Sequence, residues 1–266
     1  MKRRVLTAVI LLIICVPILF IGGTIFSLFV LTIGCLSLKE MLEMRDIKRK
    51  VPIVMRLVTF ATFVYFIANV PVDDQFIYLL DYRNVVLILF LLLLPIIIYH
   101  DNHVYNINDA MFLIGTVFFL GVSYNLVLTL REHSLMHVIY IFIITSVTDT
   151  YALISGMLIG KHKLLESISP KKTWEGLIFG TIFGVLIGSV FYYMTINDGI
   201  NILYLVLGTT LLSLVGQMGD LVFSSIKRLY NKKDFSDLMP GHGGVLDRLD
   251  SFIFAVLSYV MLMFVL

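Results

Sequence analysis

Stretches of about 20 apolar residues recur from one end of this 266-residue chain to the other. A helix of that length crosses the ~30 Å of hydrocarbon in a bilayer. Only 14% of the residues are charged, against roughly a quarter in an ordinary soluble domain. The surface of a water-soluble fold is therefore missing, and the pattern predicts an all-α, polytopic integral membrane protein. Hydropathy gives about nine transmembrane helices, at 5–22, 24–42, 53–71, 84–100, 110–130, 135–159, 174–195, 200–217 and 246–266. The opening "MKRRVLTAVILLIICVPILFIGG" has the basic start of a signal peptide. Its apolar run is too long and no A-x-A-like site follows, so it is expected to stay as the first span. Cys15 and Cys35 fall inside spans with no metal-ligand or CxxC spacing, which marks them as packing residues.

Basic residues set the orientation. With a cytoplasmic N-terminus, 18 of the 20 Lys and Arg residues fall on the cytoplasmic side, leaving Arg83 and Arg131 outside, and the outer segment 72–81 is acidic. The expectation is a multi-pass protein of the cell membrane whose charged loops, and any polar cavity and active site they serve, face the cytoplasm. No basic run or fold signal points to nucleic acid.

Polar residues are unevenly shared. Residues 1–131 read as plain apolar spans, while 132–266 carry polar groups inside theirs, dividing an N-terminal set of helices from a C-terminal catalytic region. Within "TSVTDTYALISG", helical spacing places Thr145, Asp149, Ala152 and Gly156 on one face. A carboxylate there costs ~2.5–3.5 kcal/mol to insert, so it is expected to line a polar cavity. The following loop holds Lys161, His162, Lys163, Lys171 and Lys172. Such lysines fix topology in any membrane protein, and they also suit anionic lipid. Gly176, Gly180, Gly184 and Gly188 then repeat every four residues. This stripe admits another helix at backbone distance, either in the same chain or in a homodimer.

The densest chemistry lies at 217–251. "KRLYNKKDFSDLMPGHGGVLDRLDS" packs five Lys or Arg, four Asp and a His between apolar runs. If 220–229 is helical, Asp220, Ser224, Lys227 and Arg228 share one face. Asp247, Asp250 and Ser251 share another in the first turns of the last span. "PGHGG" can turn with positive φ and offer N–H groups to anionic oxygens. Carboxylates alone would suggest a cation and basic residues alone an anionic lipid. Together with a glycine turn they suggest a metal-bridged polyphosphate, and hard oxygen ligands suit Mg2+. Positive-inside sorting alone would need no aspartate here. His242 has no second His or Cys at zinc spacing, so phosphate contact or a role in the turn remains for it.

These residues resemble the signature of the phosphatidate cytidylyltransferases, or CDP-diacylglycerol synthases. The matching positions are Ser224, Ile226, Lys227, Arg228, Lys233, Asp234, Pro240, Gly241, His242, Gly243, Gly244, Val245, Asp247, Arg248, Leu249 and Asp250, and "SPKKTWEG" at 169–176 resembles an upstream element. The family's "DSGAY" and "GRxFG"-like stretches are represented here only by "DTYALISGMLIGKHK", which keeps Asp149 and Tyr151 in kind. The resemblance covers 145–266 and implies the reaction of CTP with phosphatidate to give CDP-diacylglycerol and pyrophosphate, with Mg2+ and a possible second cation. It implies that Asp220 and Asp247 hold the metal and that Asp250 orients them or adds a ligand. Lys227, Ser224, Arg228, Lys233, Asp234 and Arg248 would serve the phosphates, with His242, Gly243 and Gly244 in the turn. Lys171 and Lys172 would meet the lipid phosphate or the nucleotide, and Asp149 would line the path of the lipid head.

Three rival readings are separable. A CTP-dependent polyprenol or phytol kinase shares a related C-terminal region but releases CDP and needs a base for its alcohol. A transporter would use Asp149 for ion coupling and show inverted repeats, which the sequence lacks. A scaffold built on the glycine stripe leaves the charged loop unexplained.

Overall fold

The computed structural model describes residues 2–68, 82–196, 199–239, 241 and 243–263, with side chains from residue 9 onward. The acidic segment 72–81, the side chains of Lys2, Arg3 and Arg4, and the residues Pro240 and His242 lie outside the described residues. The elements run α1 (Lys2–Ile21), α2 (Gly23–Lys48), α3 (Ile53–Ala68), α4 (Tyr82–Leu93), α5 (Pro95–Tyr99), α6 (Ile107–His133) and α7 (Leu135–Leu158). These are followed by β1 (Lys163–Leu165), β2 (Ser169–Thr173), α8 (Trp174–Thr195), α9 (Ile202–Leu229) and α10 (Leu246–Met263).

Among the described residues, six helices are long and apolar enough to cross a bilayer: α2, the α4–α5 pair, α6, α7, α8 and α9. Val9–Ile21 of α1 and all of α3 are apolar but shorter. Large side chains point outward along these helices, with Leu158 78% and Met194 77% exposed. So extensive an apolar exterior suits hydrocarbon rather than water. The chain is a helical, multi-pass membrane protein.

Two local departures from the sequence reading have simple causes. The expected span at 200–217 and the charged helix at 220–229 are one helix of 28 residues. At 1.5 Å per residue it is about 42 Å long, more than the hydrocarbon requires, and it has no proline to stop it. The loop between α7 and α8, read from the sequence only as a loop, folds into an antiparallel hairpin that pairs Lys163 with Thr173 and Leu165 with Ser169. Pro170 favours an extended residue before it, which suits Ser169 to a strand.

The chain divides into two compact units. The first comprises Met1–Glu132 and Phe235–Val245, the second His133–Asp234 and Leu246–Leu266.

In the first unit, α6 supplies polar side chains that finish other helices. The last carbonyls of a helix lack intrahelical donors, and hydrocarbon offers none. Asn125 Nδ2 donates to the carbonyls of Phe66 and Ile67 at the end of α3, at 3.3 Å each. Arg131 does the same for α1, with Nε 2.8 Å from Leu19 O and Nη2 3.1 Å from Phe20 O. At the other end of α6, buried Asp109 accepts from Arg45 at 2.6 Å and pairs with Arg49 at 3.1 Å. Pro95 interrupts the α4–α5 helix, and the buried Tyr105 hydroxyl donates to Leu92 O at 2.8 Å. Burial raises the Tyr105 phenol well above its ordinary range, which keeps it a donor.

In the second unit the glycine stripe of α8 lies on α7. A Cβ at Gly176 would fall 2.7 Å from Ala152 O, at Gly180 2.7 Å from Thr148 O, and at Gly188 2.6 Å from Ile144 Cγ1; at Gly184 it would collide with Thr148 Oγ1. The face expected to serve a neighbour in the chain or a second copy is thus taken by α7 of the same chain. Gly219 of α9 gives way in the same manner to Phe254 of α10, 2.7 Å from its Cβ position. Polar pairs pin the bundle: Thr148 with Ser213 at 2.9 Å, Tyr140 with Thr209 at 2.7 Å, and Gln217 with Thr181 at 2.9 Å.

Candidate active site

The second unit brings acidic and basic side chains from α7, β2, α9 and α10 to one place. Asp149 lies in α7, Asp220 in α9 and Asp250 in α10, and the Asp250 carboxylate interacts electrostatically with both of the others. The three therefore form one cluster drawn from three helices. By residue exposure Asp149 is the most open of the three, Asp220 is half-buried and Asp250 buried. Ser251 Oγ is buried and close enough to Asp149 to interact, yet it makes no hydrogen bond of normal geometry.

Two lysines reach into this cluster. Lys172, the fourth residue of β2, places Nζ 2.8 Å from Asp220 Oδ2 and 3.2 Å from Gln217 O. The hairpin and the Thr173 cap of α8, whose Oγ1 accepts from Gly176 N at 3.1 Å, hold it there. Lys227, in the last turn of α9, donates to Asp247 Oδ1 at 2.6 Å and attracts Asp250. Ser224 Oγ donates to Asp220 Oδ1 at 3.3 Å, as expected for residues four apart on one helix face. Four carboxyl groups thus face two ammonium groups, an excess of acidic over basic side chains.

That excess is the basis for asking whether a divalent cation fits. Among the described residues, no three His, Cys, Asp or Glu side chains converge closely enough to hold a metal by themselves. Mg2+ asks for less: one or two carboxylates, with phosphate oxygens and water completing its shell. Asp220, half-buried with Asp149 and Asp250 beside it, meets that requirement. Asp247 is 4% exposed and already bonded to Lys227, so it is the less open ligand of the expected pair.

Other expected residues face outward or make contacts of their own. Arg228 turns to the hairpin, with Nε 3.2 Å from Ile168 O, and also donates to Lys232 O at 2.8 Å. Lys171, Lys233, Asp234 and Arg248 are exposed. His162 closes a local contact with Glu175, Nδ1 to Oε1 2.6 Å. The face of α7 expected to line a cavity is largely packed. Thr145 is buried, and Ala152 and Gly156 lie against Gly180 and Thr173. The close approach of α8, which its glycines permit, consumes that face and leaves Asp149 as its open member.

In the first unit, the glycine segment turns as expected, with φ of +79° at Gly241 and +82° at Gly243. Met239 N donates to Gly243 O at 2.9 Å and closes the turn. The residue missed by sequence reasoning is Glu40 of α2, 3% exposed. Its Oε1 accepts from Val245 N at 2.8 Å and from Ser236 Oγ at 2.6 Å. Gly244 is buried against the same carboxylate, where any Cβ would come within 2.5 Å of it. The first-half helices are therefore not plain. The only clue was an acid in "SLKEMLEMRD", which reads as an ordinary interfacial charge at the end of a span.

A family model for the cytidylyltransferase family matches residues 2–266. The chain belongs to the cytidylyltransferase family. It is similar across its length to curated proteins named phosphatidate cytidylyltransferase. Those of Staphylococcus haemolyticus (strain JCSC1435) and Staphylococcus epidermidis (strain ATCC 12228 / FDA PCI 1200) are each 36% identical over 258 residues, covering 96% of both chains. That of Staphylococcus aureus (strain COL) is 35% identical over 260 residues, again 96% of each. This member of the cytidylyltransferase family is accordingly a nucleotidyltransferase, and the match extends into the first half, where the sequence motifs are silent.

Proposed function

We propose that this enzyme transfers the cytidylyl group of CTP to phosphatidate, giving CDP-diacylglycerol and pyrophosphate at the inner face of the cell membrane. The observation that carries the reading is the extent of the similarity: relatives bearing that name align over 96% of their length and of this chain. The acid–lysine cluster of the second unit supports it physically.

A phosphate oxygen of phosphatidate attacks the α-phosphorus of CTP, the α–β bridging bond breaks, and pyrophosphate leaves. The attacking monoester is mostly dianionic at neutral pH, since its second pKa is ~6. No residue has to remove a proton, and the work left is bringing two polyanions together. Lys172 and Lys227 supply positive charge there, and exposed Lys171, Arg228, Lys233 and Arg248 would add charge toward outlying phosphates. Asp220 would hold Mg2+, with Asp149 and Asp250 beside it and Asp247 as the second, less open ligand. When bound, the ion would offset phosphate charge and fix the separation of the two substrates. The charge of the triphosphate itself would draw any second cation. His242, Gly243 and Gly244 belong to the phosphate-holding turn in this reading. We place the N-terminus in the cytoplasm and count nine crossings, with α1, α3 and α10 joining the six longer spans.

The test is product analysis. Purified protein given phosphatidate, CTP and Mg2+ should release pyrophosphate and place label from the α-phosphate of CTP in lipid. Release of CDP, with the terminal phosphate moved to a lipid alcohol, would identify a kinase instead.

A further inference from the structure

We infer that Glu40 is a positioning residue that holds the glycine segment Phe235–Val245 in its working shape. The segment is short and rich in glycine. It contains Gly241, Gly243 and Gly244, two of them at positive φ, and within it the turn is closed by the Met239–Gly243 pair. Glycine loses more backbone freedom on ordering than any other residue. The segment is instead gathered round one buried oxygen. Glu40 Oε1 receives a donor from near its start, Ser236 Oγ, and another from its last residue, Val245 N. Two points nine residues apart are thereby tied to a single atom of α2. Gly244 packs against the same carboxylate, where a Cβ would fall 2.5 Å from Oε1 and force it to shift.

The geometry says which property of Glu40 matters. Both donors address the same oxygen, and a carbonyl oxygen can accept two hydrogen bonds as a carboxylate oxygen can. Glutamine at position 40 retains an acceptor at the same reach, aspartate is one methylene too short, and alanine has none. A metal ligand or proton carrier would not show that ranking, because Glu40→Gln would be as damaging as Glu40→Ala. In its link to turnover, this inference rests on the proposed function, in which the segment carries phosphate. Its effect on the segment itself does not.

The experiment uses the full-length protein in detergent micelles and two readouts. The first is amide hydrogen exchange in peptides covering 236–246. Exchange should be faster by tenfold or more in Glu40→Ala, and close to the parent in Glu40→Gln. The second is steady-state kinetics with varied CTP. Glu40→Ala should lose about thirtyfold in kcat/KM, chiefly through KM, Ser236→Ala about fivefold, and Glu40→Gln less than about threefold. Gly244→Ala should resemble Glu40→Ala, and adding it to Glu40→Ala should cost little more, because the group it strikes is gone. Unchanged exchange in Glu40→Ala, or equal damage from Gln and Ala, overturns the inference. If Glu40→Ala does not fold, Ser236→Ala and Glu40→Gln decide the matter by the same two readouts. A parent protein that makes no CDP-lipid defeats the proposed function alone, since the exchange readout requires no turnover.

Discussion

Lys227 Nζ lies 2.6 Å from Asp247 Oδ1, and both side chains are nearly closed to solvent, at 9% and 4% exposure. One bond thus ties the last turns of α9 to the first turn of α10 inside the second unit. Breaking a buried pair from one side strands a charge, at a cost of about 3–5 kcal/mol. Lys227→Met and Asp247→Leu should each lower the midpoint of thermal unfolding in micelles by several degrees. The double substitution should be milder than the sum of the two, because no charge is left alone. Additive losses would argue that the two side chains act independently.

Asp220→Asn keeps the size of the side chain and its contact with Ser224, but removes the charge that Lys172 meets at 2.8 Å. Incorporation of CTP label into lipid should fall by at least about a hundredfold, with helical content and unfolding midpoint near those of the parent. Comparable activity in the variant would remove Asp220 from the proposed metal role.

Magnesium dependence should be separable from folding. Chelation with EDTA should abolish pyrophosphate release, and readdition of Mg2+ should restore it, while the circular dichroism spectrum stays unchanged. The residues that would hold the ion already have lysine partners, so the bundle does not need it to assemble. A collapse of helical signal on chelation would contradict this.

Acid should slow the reaction through the substrate. Below the second pKa of the phosphomonoester, ~6, the lipid phosphate carries a proton and is a poorer nucleophile. The rate constant kcat/KM for phosphatidate should therefore rise with pH through that value and level off by neutrality. A further rise through 8–9 would signal a catalytic base, as a kinase acting on an alcohol requires.

Gly184 and Gly208 form an internal control. A methyl group at Gly184 would strike Thr148 Oγ1, whereas one at Gly208 would sit an ordinary 3.6 Å from Leu262. Gly184→Ala should destabilise the protein by about 1–3 kcal/mol, and Gly208→Ala should leave unfolding in micelles nearly unchanged.

What the sequence disclosed follows from the range of each signal. Apolar runs and four-residue spacings are local, so the helix positions, the glycine stripe and the Asp220–Ser224 contact were all legible. The length of α9 was not, because hydropathy falls where Asp220 begins the polar end although the helix goes on. Lys172 could be read as a basic residue, but its partner stands 48 positions away and depends on a hairpin that only the structure reveals. Glu40 was illegible for the same reason. Its meaning comes from Ser236, 196 residues later, and nothing near it in the chain marks it apart from any acid at the rim of a membrane.

The helix ends finished by Asn125 and Arg131 set an order of events for biogenesis. During synthesis α1 and α3 leave the ribosome well before α6, so their terminal carbonyls must wait among headgroups and water until residues 125 and 131 emerge. The ends of α1 and α3 therefore cannot be finished as those helices are inserted. The N-terminal unit cannot be complete before the sixth helix has been delivered, and its last tie, from Glu40 to Ser236 and Val245, waits until almost the whole chain has been made.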